Sequence, residues 1–432
     1  MPNIVTKKFK LNNAKTFIDS VNESGGNSLY MFLARPNPWV SADEPTTPED
    51  TQTSYSTLWD EIVSLKRINQ TDVSHVVKRI NWAAKTIYAE YDNLDNNLFD
   101  KNFYVVNTNL DVYKCIDNFN GAFSTVEPTG KNLNIFTTSD GYKWKYLYSI
   151  STADRLKFLT TNWMPVKVNS EVAAVAKDGA IENIKILNGG LDYSIRANVV
   201  IEGDGRSANI GTRQSQGVIY DFIFNNNGTG FRYANAYVSD TNSSGRGANI
   251  RAIISPVGGH GSDPVSELGA HYVMINSRTS YNEGFGDFPE NFSYRKIGII
   301  KNPKNLSGRV ANATTLLSLR GITLSNVNGT FSLSEFVEGL TSKANAYAVA
   351  ANISSGNGYV RYMQSSYLTN NYRSFTIGET IIGKTSGATA LVANTLPAET
   401  TQDTGDILYI ENRTPITRTI NQTDNLHLVL EF

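Results

Sequence analysis

A 3,4,7 spacing of apolar residues, Ala14, Phe17, Ile18 and Val21, predicts a first helix over residues 13–21, stopped by Gly25 and Gly26. Residues 28–34 (SLYMFLA) are short, apolar and aromatic, as a buried strand is, and Arg35-Pro36-Asn37-Pro38-Trp39 then breaks into a turn. Residues 41–54, rich in Pro, Thr, Asp and Glu, read as an exposed loop. From Thr57 a second helix is expected, with Leu58, Ile62 and Leu65 along one face and Asp60 and Glu61 in its first turn. Residues 103–106, 112–116 and 142–150 carry Val, Ile, Tyr and Trp at strand density between Asn, Asp and Gly turns. At the C-terminus Leu408 and Ile410, then Leu426, Leu428 and Leu430, alternate. They predict two strands closing the principal β domain, with Glu411, Asn412 and Arg413 at the turn between them, pinning either a tight corner or a partner.

Two internal repeats interrupt this pattern. Residues 179–216 overlay 217–254 at an offset of 38 (217 − 179), with Ile181 on Ile219, Ile184 on Phe222, Ile186 on Phe224, Tyr193 on Phe231 and Val199 on Tyr237. Ser207-Ala208-Asn209-Ile210 matches Gly247-Ala248-Asn249-Ile250 after a slip of two, as a turn insertion produces. Residues 331–349 overlay 375–393 at an offset of 44 (375 − 331), aligning Gly339 with Gly383, Thr341-Ser342 with Thr385-Ser386, and Ala344 with Ala388. Each of these copies reads as a strand, a Gly-containing turn and an Ala-rich returning strand.

Length and composition narrow the function. The 432 residues suggest about three domains. A net charge of −1 encodes no overall attraction to nucleic acid, and only 18% of residues are charged, so the polar surface is largely uncharged. One cysteine excludes an internal disulfide, and no Cys/His cluster suits zinc. No apolar run is long enough to span a bilayer as a helix, and the first residues lack an apolar leader core, so the chain is expected to be made in the cytoplasm without membrane insertion.

No catalytic signature stands out among the four histidines, His75, His260, His271 and His427. His260 in Gly258-Gly259-His260-Gly261-Ser262-Asp263 reads as part of a flexible connector, and Cys115 in VYKCID as a core residue. Asp92, Asp95 and Asp100 lack the spacing of an EF-hand loop and read as a solvated turn. The turns at 203–206 and 244–247 lack the Lys-Ser/Thr and helix start of a phosphate loop. No metal, cofactor or small-molecule substrate is expected. The aromatic surplus, 11% of residues, divides between core and protein contacts.

Four segments together resemble a known family: residues 28–39 (SLYMFLARPNPW), 112–118 (VYKCIDN) followed by EPTG at 127–130, 139–150 (SDGYKWKYLYSI), and 405–432, which begins GDILYIENR. Leu58-Trp59, Arg79-Ile80-Asn81-Trp82 and FPENFSYRKIGIIKNP at 288–303 add to the series. The chain is similar to the baseplate wedge subunit of T4-like contractile-tailed bacteriophages, the gene 8 product family. The resemblance covers 1–168, 268–307 and 404–432, and the repeats fall between these blocks.

The resemblance implies a virion protein without enzymatic activity: a homodimer in the tail baseplate, contacting other baseplate wedge proteins and taking part in the rearrangement that triggers sheath contraction. The expected fold is mainly β with flanking helices (α+β), a β-sandwich-like core of 1–168, 268–307 and 404–432 carrying an inserted tandem β-repeat domain at 169–267 and a second at 308–403. Trp39, Trp59, Trp82, Tyr409, Glu411, Asn412 and Arg413 are the candidate interface residues. A receptor- or carbohydrate-binding tail module is the alternative, drawn from the Asn/Tyr-rich repeats at 179–254. A polysaccharide-degrading enzyme is a third reading, with only β content and scattered acids behind it.

Overall fold

The computed structural model describes residues 4–22, 27–242, 244–283, 286–364 and 372–432, in a mainly-β, α+β fold with several sheets and a few short helices. The chain divides into two compact units. One comprises Met1–Lys15, Ser74–Met274 and Val429–Phe432, the other Thr16–Val73 and Ile275–Leu428. One repeat pair lies in each.

The second unit is built on a five-stranded sheet in the order Thr315–Leu317, Ile62–Arg67, Leu29–Ala34, Phe292–Lys301, Asp406–Arg418. Leu29–Ala34 is buried along its whole length, as its unbroken apolar run requires of a strand covered on both faces. The first helix spans Lys7–Asn22, longer than its apolar stripe indicates, and the glycines read as its stop lie outside the described residues.

The second helix differs from expectation. It runs Gln52–Glu61, capped by the Thr51 side chain accepting from the Ser54 N–H, and Ile62 and Leu65 belong to the strand that follows. Ile62-Val63 is β-branched, and pairing of Leu65 with Phe32 and Ile62 with Ala34 secures the strand against the helical spacing.

The same unit holds a closed six-stranded barrel in the order Arg320–Asn328, Asn357–Met363, Asn345–Ser354, Phe336–Gly339, Thr380–Gly383, Thr389–Leu396. Its two copies are related by a pseudo-two-fold axis. Val337 pairs with Gly383 and Gly339 with Ile381, so each copy's residue meets the other's counterpart. Closure removes every edge, and Ile322, Val337, Ala346, Ile381, Ala390 and Val392 fill the interior.

In the first unit, Tyr104–Val106, Asp111–Asp117, Lys143–Ser149 and Phe136–Thr137 form a four-stranded sheet whose middle strands are buried on both faces. Cys115 is buried there, a core residue as expected. The repeat at 179–254 folds as three strands per copy: Ile181–Leu191, Asn198–Gly203 and Arg206–Ser215, then Val218–Thr229, Ala234–Ser239 and Arg246–Ile254. The first strand of each copy pairs with the third of the other, and the two middle strands pair together.

Equivalence extends to single atoms. Gly190 and Gly228 sit at φ of +67° and +66°, their N–H groups donate to Asn188 and Asn226, and the rings of Tyr193 and Phe231 lie where a side chain on either glycine would go. One aligned pair is corrected: Val199 is buried but Tyr237 is exposed, and the buried counterpart is Ala236, one residue earlier. A slip of one in a strand exchanges its faces, so the uniform offset fails in the middle strand.

Candidate interface site

The sheet of the second unit ends in the 13-residue strand Asp406–Arg418, which among the described residues has one sheet neighbour, Phe292–Lys301. Two irregularities shape it. Ile300 faces Ile407 and Ile299 faces Tyr409, so Leu408 bulges out of register and is 51% exposed, while Ile407 and Ile410 pack on the core. Tyr294 then faces Ile416 and Lys296 faces Asn412, leaving Arg413, Thr414 and Pro415 opposite Arg295 alone. Pro415 has no N–H to give to a ladder, and an edge bulge is where a sheet tolerates it.

Glu411, Asn412 and Arg413 therefore lie within a continuous strand and not at the expected turn, which falls after Arg418. The core side is set by the bulge at Leu408 and not by simple alternation from Leu408.

Five of the seven candidates meet on this edge. The Trp39 indole N–H donates to the Arg413 carbonyl at 2.7 Å, and Asn412 Nδ2 donates to the Thr46 carbonyl at 2.8 Å, pinning the proline-containing loop to the strand. Tyr409 donates its hydroxyl to Glu411 at 3.0 Å, and Glu411 lies 3.5 Å from the Arg413 guanidinium. Burial, reinforced by Glu411, pushes the Tyr409 hydroxyl up to about 12.

Beside the loop is a groove of about 500 Å³ lined by Pro36, Trp39, Pro48, Ile410 and Asn412, with the Lys296–Glu61 ion pair (2.6 Å) also on its wall. Asp60 and Glu61, expected in the first turn of their helix, are instead its last two residues, because the helix begins at Gln52. As the last residue of its helix, Glu61 has a carboxylate that reaches an ammonium on the neighbouring strand. Trp59 is a core residue of this unit, packed with Tyr30, Phe32 and Leu58, and offers no surface of its own. Trp82 lies in the first unit, half-buried, its indole N–H donating to Ser124.

The first unit contains a buried ionic cluster of Lys114, Glu267 and His260 that no sequence motif announced. Lys114 is fully buried in the middle of the Asp111–Asp117 strand, and its ammonium is paired with Glu267 and lies 4.5 Å above the Tyr91 ring. Burial pulls Lys114 below the ordinary lysine range despite Glu267. Burial acts to raise the Glu267 carboxyl, yet Lys114 and His260 hold it down at about 2.

His260 is 2% exposed, 3.7 Å from Glu267 and edge-on to Tyr91, so its glycine-rich segment is packed and not a flexible connector. Gly259 and Gly261, at φ of +91° and +87°, give the backbone the turns that bring the imidazole inside. Burial lowers its pKa, as does Lys114. The visible signal was a lysine amid an apolar two-faced strand.

The acidic turn is also committed internally. Asp92 takes a bidentate pair of hydrogen bonds from Arg251, and Asp95 is held by Lys101 at 2.6 Å. Among the described residues no group of three or more His, Cys, Asp or Glu is placed to hold a metal ion, and no helix is long and apolar enough to cross a membrane. No family model matches the chain, and no curated protein matches it.

Proposed function

We propose that this chain is a structural component of a phage contractile-tail baseplate wedge: a homodimer in the virion, assembled in the host cytoplasm. It acts as a scaffold against other wedge proteins through the rearrangement that triggers sheath contraction, without enzymatic activity. The observation that supports the reading is the Asp406–Arg418 edge. One of the segments that carry the resemblance, 405–432, also holds the open edge of a sheet, half capped by Trp39 and Asn412 and half presenting the bulged Leu408. An uncapped edge pairs readily with another chain, and a second copy meeting it antiparallel makes the self-complementary contact of a two-fold dimer.

Sedimentation of the purified full chain tests this. A dimer is expected, and Leu408→Glu, at an exposed bulge where substitution costs less than about 0.5 kcal/mol of fold stability, is expected to yield folded monomer. Co-expression with wedge proteins of a contractile-tailed phage should give a complex. A wild-type monomer that joins no such complex overturns the proposal.

A further inference from the structure

The first unit carries a cleft of about 610 Å³ between the loop after the Asp111–Asp117 strand and the first strands of the two repeat copies. Two aromatic rings stand open on it, Phe119 at 57% and Tyr220 at 56% exposure. Phe119 is held there at a conformational cost. Phe119, Asn120 and Gly121 have successive φ angles of +50°, +57° and +78°, a region an aromatic residue rarely enters.

That conformation is fixed locally. The Phe119 N–H donates to Asp117 and the Gly121 N–H to Asn118, while the Phe119 ring lies across Gly141, where an added Cβ would come within 2.7 Å of it. A strained backbone that keeps an apolar ring in solvent is a feature that folding alone does not reward.

The charges in the cleft are balanced among themselves. Lys185 pairs with Glu90 at 2.6 Å, Lys143 lies between Asp117 (3.1 Å) and Asp221 (3.5 Å), and Arg213 also approaches Asp221 at 3.5 Å. A charged ligand must break one of these pairs, whereas a neutral polyhydroxyl ligand can use the carboxylates' remaining lone pairs as acceptors. Asn120 and Tyr220 also line the cleft and bring an amide and a hydroxyl, both neutral, to it. Flat C–H faces packing on aromatic rings, with hydroxyls meeting carboxylates and amides, is the chemistry of sugar recognition.

We propose that this cleft binds a neutral saccharide, with Phe119 and Tyr220 as stacking platforms, whether or not the chain also serves as a scaffold.

The full-length protein is to be applied to an array of neutral hexose and N-acetylhexosamine oligosaccharides alongside sialylated and sulfated ones, and hits followed in solution by saturation-transfer NMR. Saturable binding to neutral glycans is expected. Tyr220→Ala and Phe119→Gly should each weaken it about tenfold, whereas Tyr233→Ala, exposed on the same repeat away from the cleft, should leave it unchanged. Phe119→Gly relieves the strained φ, so its melting temperature should equal or exceed that of the wild type while binding falls. The proposal is overturned by any of three results: no saturable neutral ligand, capture of anionic glycans alone, or neutral binding that survives both cleft variants.

Discussion

Lys114→Met is expected to lower the unfolding free energy by about 3–5 kcal/mol in denaturant titrations at pH 7. The variant keeps the volume of the side chain but strands Glu267, whose buried carboxylate is left with the Gly261 N–H, the His260 imidazole and the charge of Lys145, none of which replaces the direct Lys114 pair. Replacing both partners, Lys114→Met with Glu267→Leu, should recover most of the loss, because an apolar pair of similar volume avoids desolvating two charges. A favourable coupling in the double-mutant cycle of about 2 kcal/mol or more is the signature.

The pH dependence has a definite sign. In the wild type the folded pKa of Glu267, about 2, lies below its unfolded value, so its contribution is complete at neutral pH and is lost as pH falls from the ordinary carboxylate range toward 2. His260, lowered by burial, acts in the same direction from its ordinary value downward, since the unfolded chain takes up the proton first. Without Lys114 the buried Glu267 carboxyl is expected to rise above its unfolded pKa, and protonation then relieves its burial. The gap between Lys114→Met and wild type should therefore narrow between pH 7 and pH 4. A gap that stays constant, or a single variant with near-wild-type stability, would show that the pair is not energetically coupled.

The parts of the fold legible in the sequence were those in which local pattern and tertiary contact agree. Leu29–Ala34 reads as a buried strand because its apolar run is unbroken, and the repeat at 331–393 because residue type, spacing and order coincide. Ile62 and Leu65 misled because a spacing of three to four fits a helix face, while the deciding fact, pairing with Phe32 and Ala34, lies some thirty residues away. Leu408 misled because a bulge changes which residues face inward without changing composition.

At the candidate interface, the apolar positions Leu408 and Ile410 marked a strand, but the hydrogen bonds joining it to Trp39 and the proline loop's hold on Asn412 had no sequence signal. His260 was misread for a different reason. Glycines on either side of a histidine look the same whether they loosen a connector or turn a ring inward, and only Tyr91, Lys114 and Glu267, distant in sequence, distinguish the two.

Glu335→Ala and Glu379→Ala are expected to destabilise the barrel by equal amounts, about 2–3 kcal/mol each, because the two carboxylates occupy the same environment by pseudo-symmetry. Glu335 accepts from the N–H groups of Ser332 (2.6 Å), Thr385 (3.0 Å) and Ser386 (2.9 Å) and from the Ser386 hydroxyl (2.8 Å). Glu379 accepts from Thr376 (2.6 Å), Thr341 (3.0 Å) and Ser342 (2.9 Å), and from the Ser342 hydroxyl (2.8 Å). Each glutamate thus fastens the Thr-Ser turn of the other copy, and Gly339 and Gly383 leave room for the carboxylates to approach.

Burial alone would raise both carboxyls, but these hydrogen bonds hold each below the ordinary glutamate range, so their contribution is present at neutral pH and fades as pH drops below about 4. Hydrogen exchange separates this crossed arrangement from a merely local one. In Glu335→Ala the amides of Thr385 and Ser386 should lose protection while those of Thr341 and Ser342 retain theirs, and in Glu379→Ala the pattern should reverse. If each variant instead deprotected the turn of its own copy, the two repeats would be stabilised independently and the reciprocal clasp would have no energetic role.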